Sequence, residues 1–138
     1  MAGRVFADTS AWVAYFVYDD QWHGPASICL DQIIRSRKRL LTTSDVFDET
    51  VTSIRRVAGY DRGVEAGEIL RGSSLAEVAA IDDSLREKAW ALFRKYKIPG
   101  LSLTDCTSFA AMEKYGIAEA FTFDEDFRKA GFKTLPPK

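Results

Sequence analysis

The chain has 138 residues, 46% hydrophobic and 28% charged, with a formal net charge of −1. That size and balance predict one compact domain over residues 1–138 and exclude a disordered tail or a coiled coil as the main content. No large positive field advertises nucleic-acid binding, so a polyanionic substrate has to be held by local groups.

The elements alternate along the chain. "RVFA" (4–7) predicts a short buried strand, followed by an aromatic-rich helix over 10–18. "GPASICLDQIIRSR" (24–37) has helical spacing at Ile28, Leu30, Ile33 and Ile34, and "RLLTT" (39–43) predicts a second strand. A helix over 44–59 carries Phe47, Val51, Ile54 and Ala58 on one stripe and stops at Gly59. A further helix (61–71) precedes a third strand (75–81). Amphipathic helices over 82–97 and 102–116 follow, then a fourth strand, "AEAFTF" (118–123), and a fifth, "FKTL" (132–135). Strands alternating with helices imply an α/β fold with a parallel sheet covered on both faces. In such a sheet every strand ends at one edge, and ligands bind there.

Several function classes drop out. Cys29 and Cys106 are far apart and form no C-x-x-C pattern, so no disulfide framework or zinc site is expected. With His23 as its single histidine, the chain has no His pair. The longest apolar run, "AWVAYFVY" (11–18), is too short to span a membrane, and Asp8 arrives too soon for a signal peptide. The expected setting is the reducing cytoplasm.

Carboxylates fall at the ligand-binding edge. Asp8 follows the first strand, Glu49 lies near the start of the helix after the second, Asp105 opens a helix, and Asp124 follows the fourth strand. An acid at a helix start is a good N-cap and suits the helix dipole. Ser102-x-x-Asp105 and Thr122-x-x-Glu125 resemble capping boxes. Yet each station also has a hydroxyl able to cap: Thr9 or Ser10, Ser44, Thr104 and Thr122. Two carboxylates about 5 Å apart repel by about 3 kcal/mol at an effective dielectric of about 20, which exceeds the help from a helix terminus. A cluster that remains unfavourable points to a bound cation, and oxygen donors without His or Cys select Mg²⁺ or Mn²⁺. Metal-assisted hydrolysis is the chemistry that follows.

At "DTSAW" (8–12), "ET" (49–50), "SLTD" (102–105) and "FTFDEDF" (121–127) the sequence resembles a PIN-domain ribonuclease, of the kind found as VapC toxins in toxin–antitoxin pairs. The resemblance runs from about Arg4 to about Leu135. It implies a three-layer α/β/α sandwich with a parallel sheet of about five strands. It also implies a Mg²⁺- or Mn²⁺-dependent endoribonuclease acting on RNA, commonly a homodimer and inhibited by a small antitoxin protein. By position, Asp8, Glu49, Asp105 and Asp124 match the family's catalytic and metal-binding acids, and Asp126 matches a further acid found in many relatives. Thr9 and Ser10 match the hydroxyl pair beside the first acid. A PIN-fold RNA-processing nuclease without a toxin role and a non-catalytic binding module are the alternatives. A dehalogenase-type phosphatase would need D-x-D after the first strand, where Asp8-Thr9-Ser10 stands. A receiver domain would need an acid pair there and a late lysine.

Other residues invite a role. "RSRKR" (35–39) ends a helix that runs away from the acids, so it is expected at the opposite edge. Arg55, Arg56, Arg128 and Lys129 are better placed for phosphate. His23 is expected in a loop or at a helix start. Trp12, Tyr15, Phe16 and Tyr18 make the first helix apolar on more than one side, which implies core packing plus a surface for another chain. Trp90, Phe93 and Tyr96 read as core or interface.

Overall fold

The computed structural model describes residues 3–72 and 74–137. Its strands are β1 (Arg4–Ala7), β2 (Arg39–Thr43), β3 (Ala76–Ala79), β4 (Glu119–Phe121) and β5 (Lys133–Leu135). The helices are α1 (Thr9–Phe16), α2 (His23–Arg35), α3 (Ser44–Ala58), α4 (Tyr60–Gly72), α5 (Asp83–Lys95), α6 (Leu103–Tyr115) and the single turn α7 (Asp126–Lys129). The sheet order is β3-β2-β1-β4-β5, and every pairing is parallel. Right-handed crossovers then place α1–α4 on one face and α5–α7 on the other. The expected α/β/α sandwich is therefore present. The order reverses between β1 and β4, and this switch point lies beside Asp8.

The central strands β1 and β4 are largely buried because helices cover both faces, whereas the edge strands β3 and β5 are partly exposed. Val5, Phe6 and Ala7 are wholly buried, as are Ala120 and Phe121 of the neighbouring strand. Trp12 of α1 is wholly buried, tilted on Phe16 and edge-on to Phe121, with its indole N–H 3.4 Å from Thr42 Oγ1. Ala11, Ala14 and Phe16 are buried beside it. The aromatic first helix is thus satisfied within the chain, and of the four aromatics at 12–18 only Tyr18, past its end, is exposed. On the other face Asp105–Met112 of α6 are all buried, and Phe109 meets Phe127, Phe132 and Tyr96. Trp90 and Phe93 are not core. They stack on each other at 5.6 Å on the exposed side of α5.

Element bounds depart from expectation where side chains intercept the backbone. β4 stops at Phe121 rather than Phe123, since Phe123 N–H donates to Ser10 Oγ (2.9 Å) and Asp124 N–H to Thr122 Oγ1 (3.0 Å). β3 stops at Ala79, and Ile81 N–H is taken by Ser44 Oγ (3.1 Å). The deepest stripe of α3 is Val46, Thr50 and Ile54, not the stripe through Phe47, Val51 and Ala58. Phe47 and Val51 face α4 instead, where Gly67 lets the helices approach: a Cβ there would lie 3.3 Å from Val51 Cγ1. Among the described residues, no helix is long and apolar enough to cross a membrane.

Candidate active site

The ends of β1 and β4 are tied together by hydroxyls. Asp8 Oδ2 accepts from Ser10 Oγ (3.0 Å) and Thr122 Oγ1 (3.0 Å), and the two hydroxyls are themselves 3.1 Å apart. Asp8 is also the N-cap of α1, accepting from Ser10 N–H at 3.4 Å. Asp105 sits in the capping box of α6: its N–H donates to Ser102 Oγ (3.0 Å), and its Oδ2 accepts from Ser102 N–H (3.3 Å). Asp124 Oδ1 accepts from Asp126 N–H at 2.9 Å. The expectation that hydroxyls make these acids redundant as caps is corrected at Asp8, which caps α1, whereas Ser102 caps α6 with Asp105 as the third residue of the expected capping box. Thr43, not Ser44, caps α3, and Thr122 spends its hydroxyl on Asp124 rather than on a box with Glu125.

The tight turn at Asp124 aims the next acid but one at the same place. Carboxylate oxygens of Asp105, Asp124 and Asp126 all lie within 4.8 Å of one another. Asp8 borders them electrostatically, since its charge raises the pKa of Asp105. Burial pushes Asp8 up to about 6 against its hydrogen bonds from Thr122 and Ser10, and the charge on Asp124 adds to the rise. Burial pushes Asp105 up to about 7, helped by the charges of Asp8 and Asp124 and opposed by the bonds to Ser102. Asp126 is raised as well, first by partial burial and then by Asp124, with Lys129 opposing. Bare carboxylates so placed resist ionisation, and their oxygens offer the donor set of a hard divalent cation.

Glu49 stands apart from this group. It is exposed on α3 and lines an open groove with Asp45, Asp48, Arg56, Arg86 and Thr104, the last being the neighbour of Asp105. Arg86 holds Asp45 in a two-pronged ion pair at 2.9 and 3.1 Å. Arg56 reaches the acidic groove, whereas Arg55 turns over Tyr60 toward α4. The cluster at 35–39 lies at the far edge, where Lys38 pairs with Glu119 (2.9 Å) and Arg35 with Asp31 (2.9 Å). His23 holds the carbonyl of Ala14 through Nδ1 (2.9 Å) and lies edge-on to Tyr18, a local structural role.

Sequence reasoning passed over Trp22. It stands near the acids, stacked on Phe123. Only the tertiary pairing of the loop before α2 with the end of β4 reveals it. Two buried hydroxyls next to predicted site acids, Thr9 Oγ1 and Thr50 Oγ1, have no hydrogen-bond partner among the described residues.

The family model of the PIN domain matches residues 5–133. The 23S rRNA-specific endonuclease VapC20 of Mycobacterium tuberculosis, from two strains, is 36% identical over 135 residues, covering 97% of this chain and 99% of that protein. The crystal structure of VapC20, described as a sarcin–ricin loop cleaving toxin, superposes with a TM-score of 0.83 at 35% identity, covering 93% and 95% of the two chains. VapBC2 from Rickettsia felis, solved with a promoter DNA fragment, shares the fold at a TM-score of 0.69 and 12% identity, with 97% of each chain covered.

Proposed function

The chain belongs to the PIN-domain family, and on that premise we propose that it is a Mg²⁺- or Mn²⁺-dependent endoribonuclease, the toxin of a toxin–antitoxin pair. The observation that carries the reading is the convergence of Asp105, Asp124 and Asp126 to within 4.8 Å beside a buried Asp8. It occurs in a chain 36% identical to a 23S rRNA-specific endonuclease over nearly its whole length. By the same relationship the substrate is 23S rRNA at its sarcin–ricin loop.

Asp105, Asp124 and Asp126 would hold the cation, with Asp8 beside them and Glu49 on the rim. A divalent ion there supplies charge against the phosphate and acidifies an attacking water. Ser10 and Thr122 orient the Asp8 carboxylate by fixing Oδ2. Asp105, whose carboxyl burial pushes up to about 7, would give up a proton on taking a cation, and Asp8, pushed up to about 6, would do so at lower pH. Arg56 and Arg128, on either side of the acids, are positioned to meet flanking phosphates.

Cleavage of a sarcin–ricin hairpin should require Mg²⁺ or Mn²⁺ and vanish in a chelator. Full cleavage in chelator by protein freed of contaminating nuclease would overturn the reading. We also assign a homodimer and a small antitoxin as partners, acting in the cytoplasm. The exposed apolar residues Val57, Tyr60 and Val64 on α3 and α4, and Trp90 with Phe93 on α5, support a surface completed by another chain. Sedimentation at micromolar concentration should show a dimer, and the product of the adjacent gene should co-purify with the protein. A monomer that retains no such product counts against both partners.

A further inference from the structure

Trp22 ends the loop between α1 and α2, where its backbone N–H donates to Asp20 Oδ1 at 2.8 Å. Its ring lies parallel to that of Phe123, with centroids 5.5 Å apart and planes 10° apart. One face of the indole is thereby covered, yet 46% of the residue is exposed.

The surroundings give the exposed face a purpose. Trp22 lines a cleft of about 470 Å³ whose wall includes Pro25, Phe123, Asp124, Arg128 and Pro136. Asp124 belongs to the acid cluster, so the cleft and the candidate cation site share a residue. Phe123, the support beneath Trp22, has its N–H bonded to Ser10 Oγ, the hydroxyl that also holds Asp8. The platform and the acids are therefore parts of one rigid network. Arg128 stands beside them, half exposed, with Nη2 3.6 Å from Glu125 Oε1.

We propose that Trp22, backed by Phe123, is the stacking platform for one unpaired nucleobase of the RNA, holding the strand so that the adjoining phosphate meets the acids. The proposal rests on the ribonuclease reading above and deepens it. Single-stranded and looped RNA is recognised largely by unstacked bases laid on aromatic rings. A flat π surface next to a cation site, with an arginine within reach of the backbone, has the chemistry that such a strand needs. Trp22 is in this sense a substrate-positioning residue with no part in bond cleavage.

Two measurements test it on a sarcin–ricin hairpin: steady-state cleavage in Mn²⁺, and quenching of a fluorescent adenine analogue placed in the loop and bound by the D105N protein. Trp22→Ala and Trp22→Leu should each raise KM about tenfold or more while leaving kcat within about threefold, and both should lose the quench. Trp22→Phe keeps a π face and should stay within about threefold of wild type in KM. Ile34→Ala, which removes an exposed apolar side chain at the far edge of the sheet, should change neither readout. Mn²⁺ should raise the melting temperature of all four variants as it does for wild type. Trp22→Leu packs against Phe123 without a π face, so a Leu variant indistinguishable from wild type overturns the proposal. So does a fall in kcat with KM unchanged. A wild-type protein that cleaves no RNA would strike the ribonuclease reading instead, and the quench would still report whether a base stacks on Trp22.

Discussion

Asp105→Asn is expected to abolish RNA cleavage, by at least about 1,000-fold, or about 4 kcal/mol of transition-state stabilisation, while making the metal-free protein more stable at pH 8. The two effects have one cause. Asp105 is buried, and its pKa is pushed up to about 7 by that burial and by the charges on Asp8 and Asp124. A carboxyl whose folded-state pKa exceeds its unfolded value favours folding while it is protonated. Its contribution is complete below about pH 4 and is lost as pH rises through about 7. Asp8, raised to about 6, loses its share over a lower part of the same window. Apo stability should therefore fall between about pH 4 and pH 7, and at pH 8 both groups are charged at a cost to the fold. Asparagine removes the charge and keeps an oxygen for Ser102 N–H, so the gain at pH 8 should be about 1–4 kcal/mol. Melting curves of wild type and variant across pH, with and without Mn²⁺, check this. Mn²⁺ should stabilise wild type far more than the variant. A large loss of apo melting temperature in the variant would mean that the α6 capping box outweighs the buried charge.

The second expectation separates three consecutive acids. Asp124→Asn should lower single-turnover cleavage at least about 100-fold, or about 2.7 kcal/mol. The amide oxygen of the substituted side chain can still accept from the backbone N–H of Asp126, so folding should survive. Glu125→Gln should be nearly neutral, since Glu125 is exposed and stands outside the 4.8 Å group. Asp126→Asn should be intermediate and partly rescued by high Mn²⁺. A dead Glu125→Gln beside an active Asp124→Asn would remove Asp124 from the site.

The alternation of strands and helices was legible because continuous apolar runs at "RVFA" and "RLLTT" need cover on both faces. The chain order of the acids was legible for the same reason: a parallel sheet sends every strand end to one edge. Asp126 was harder. Its place depends on the turn closed by Asp124 Oδ1, and a helical count of 100° per residue misses that turn. The Ser102–Asp105 capping box was legible from its spacing, but the caps of α1 and α3 were misread because several hydroxyls compete at each of those helix starts, and only packing decides among them. Tertiary pairing also put Ser44 on Ile81 and Ser10 on Phe123, ending two strands early. Trp22 left no trace in any local pattern. Its partner lies about a hundred residues away in sequence, and nothing periodic joins the two.

The knot of hydroxyls at Asp8 also sets how late in synthesis the acid cluster can form. The bond from Thr122 to Asp8 closes a span of 114 residues, which a ribosome takes on the order of 6–23 s to synthesise. Until that segment has emerged, β1 lacks its β4 neighbour, Asp8 lacks a clamp, and two of the clustered acids do not yet exist. A chain cut short before Thr122 therefore carries Asp8 without its clamp and Asp105 without the two acids that join it.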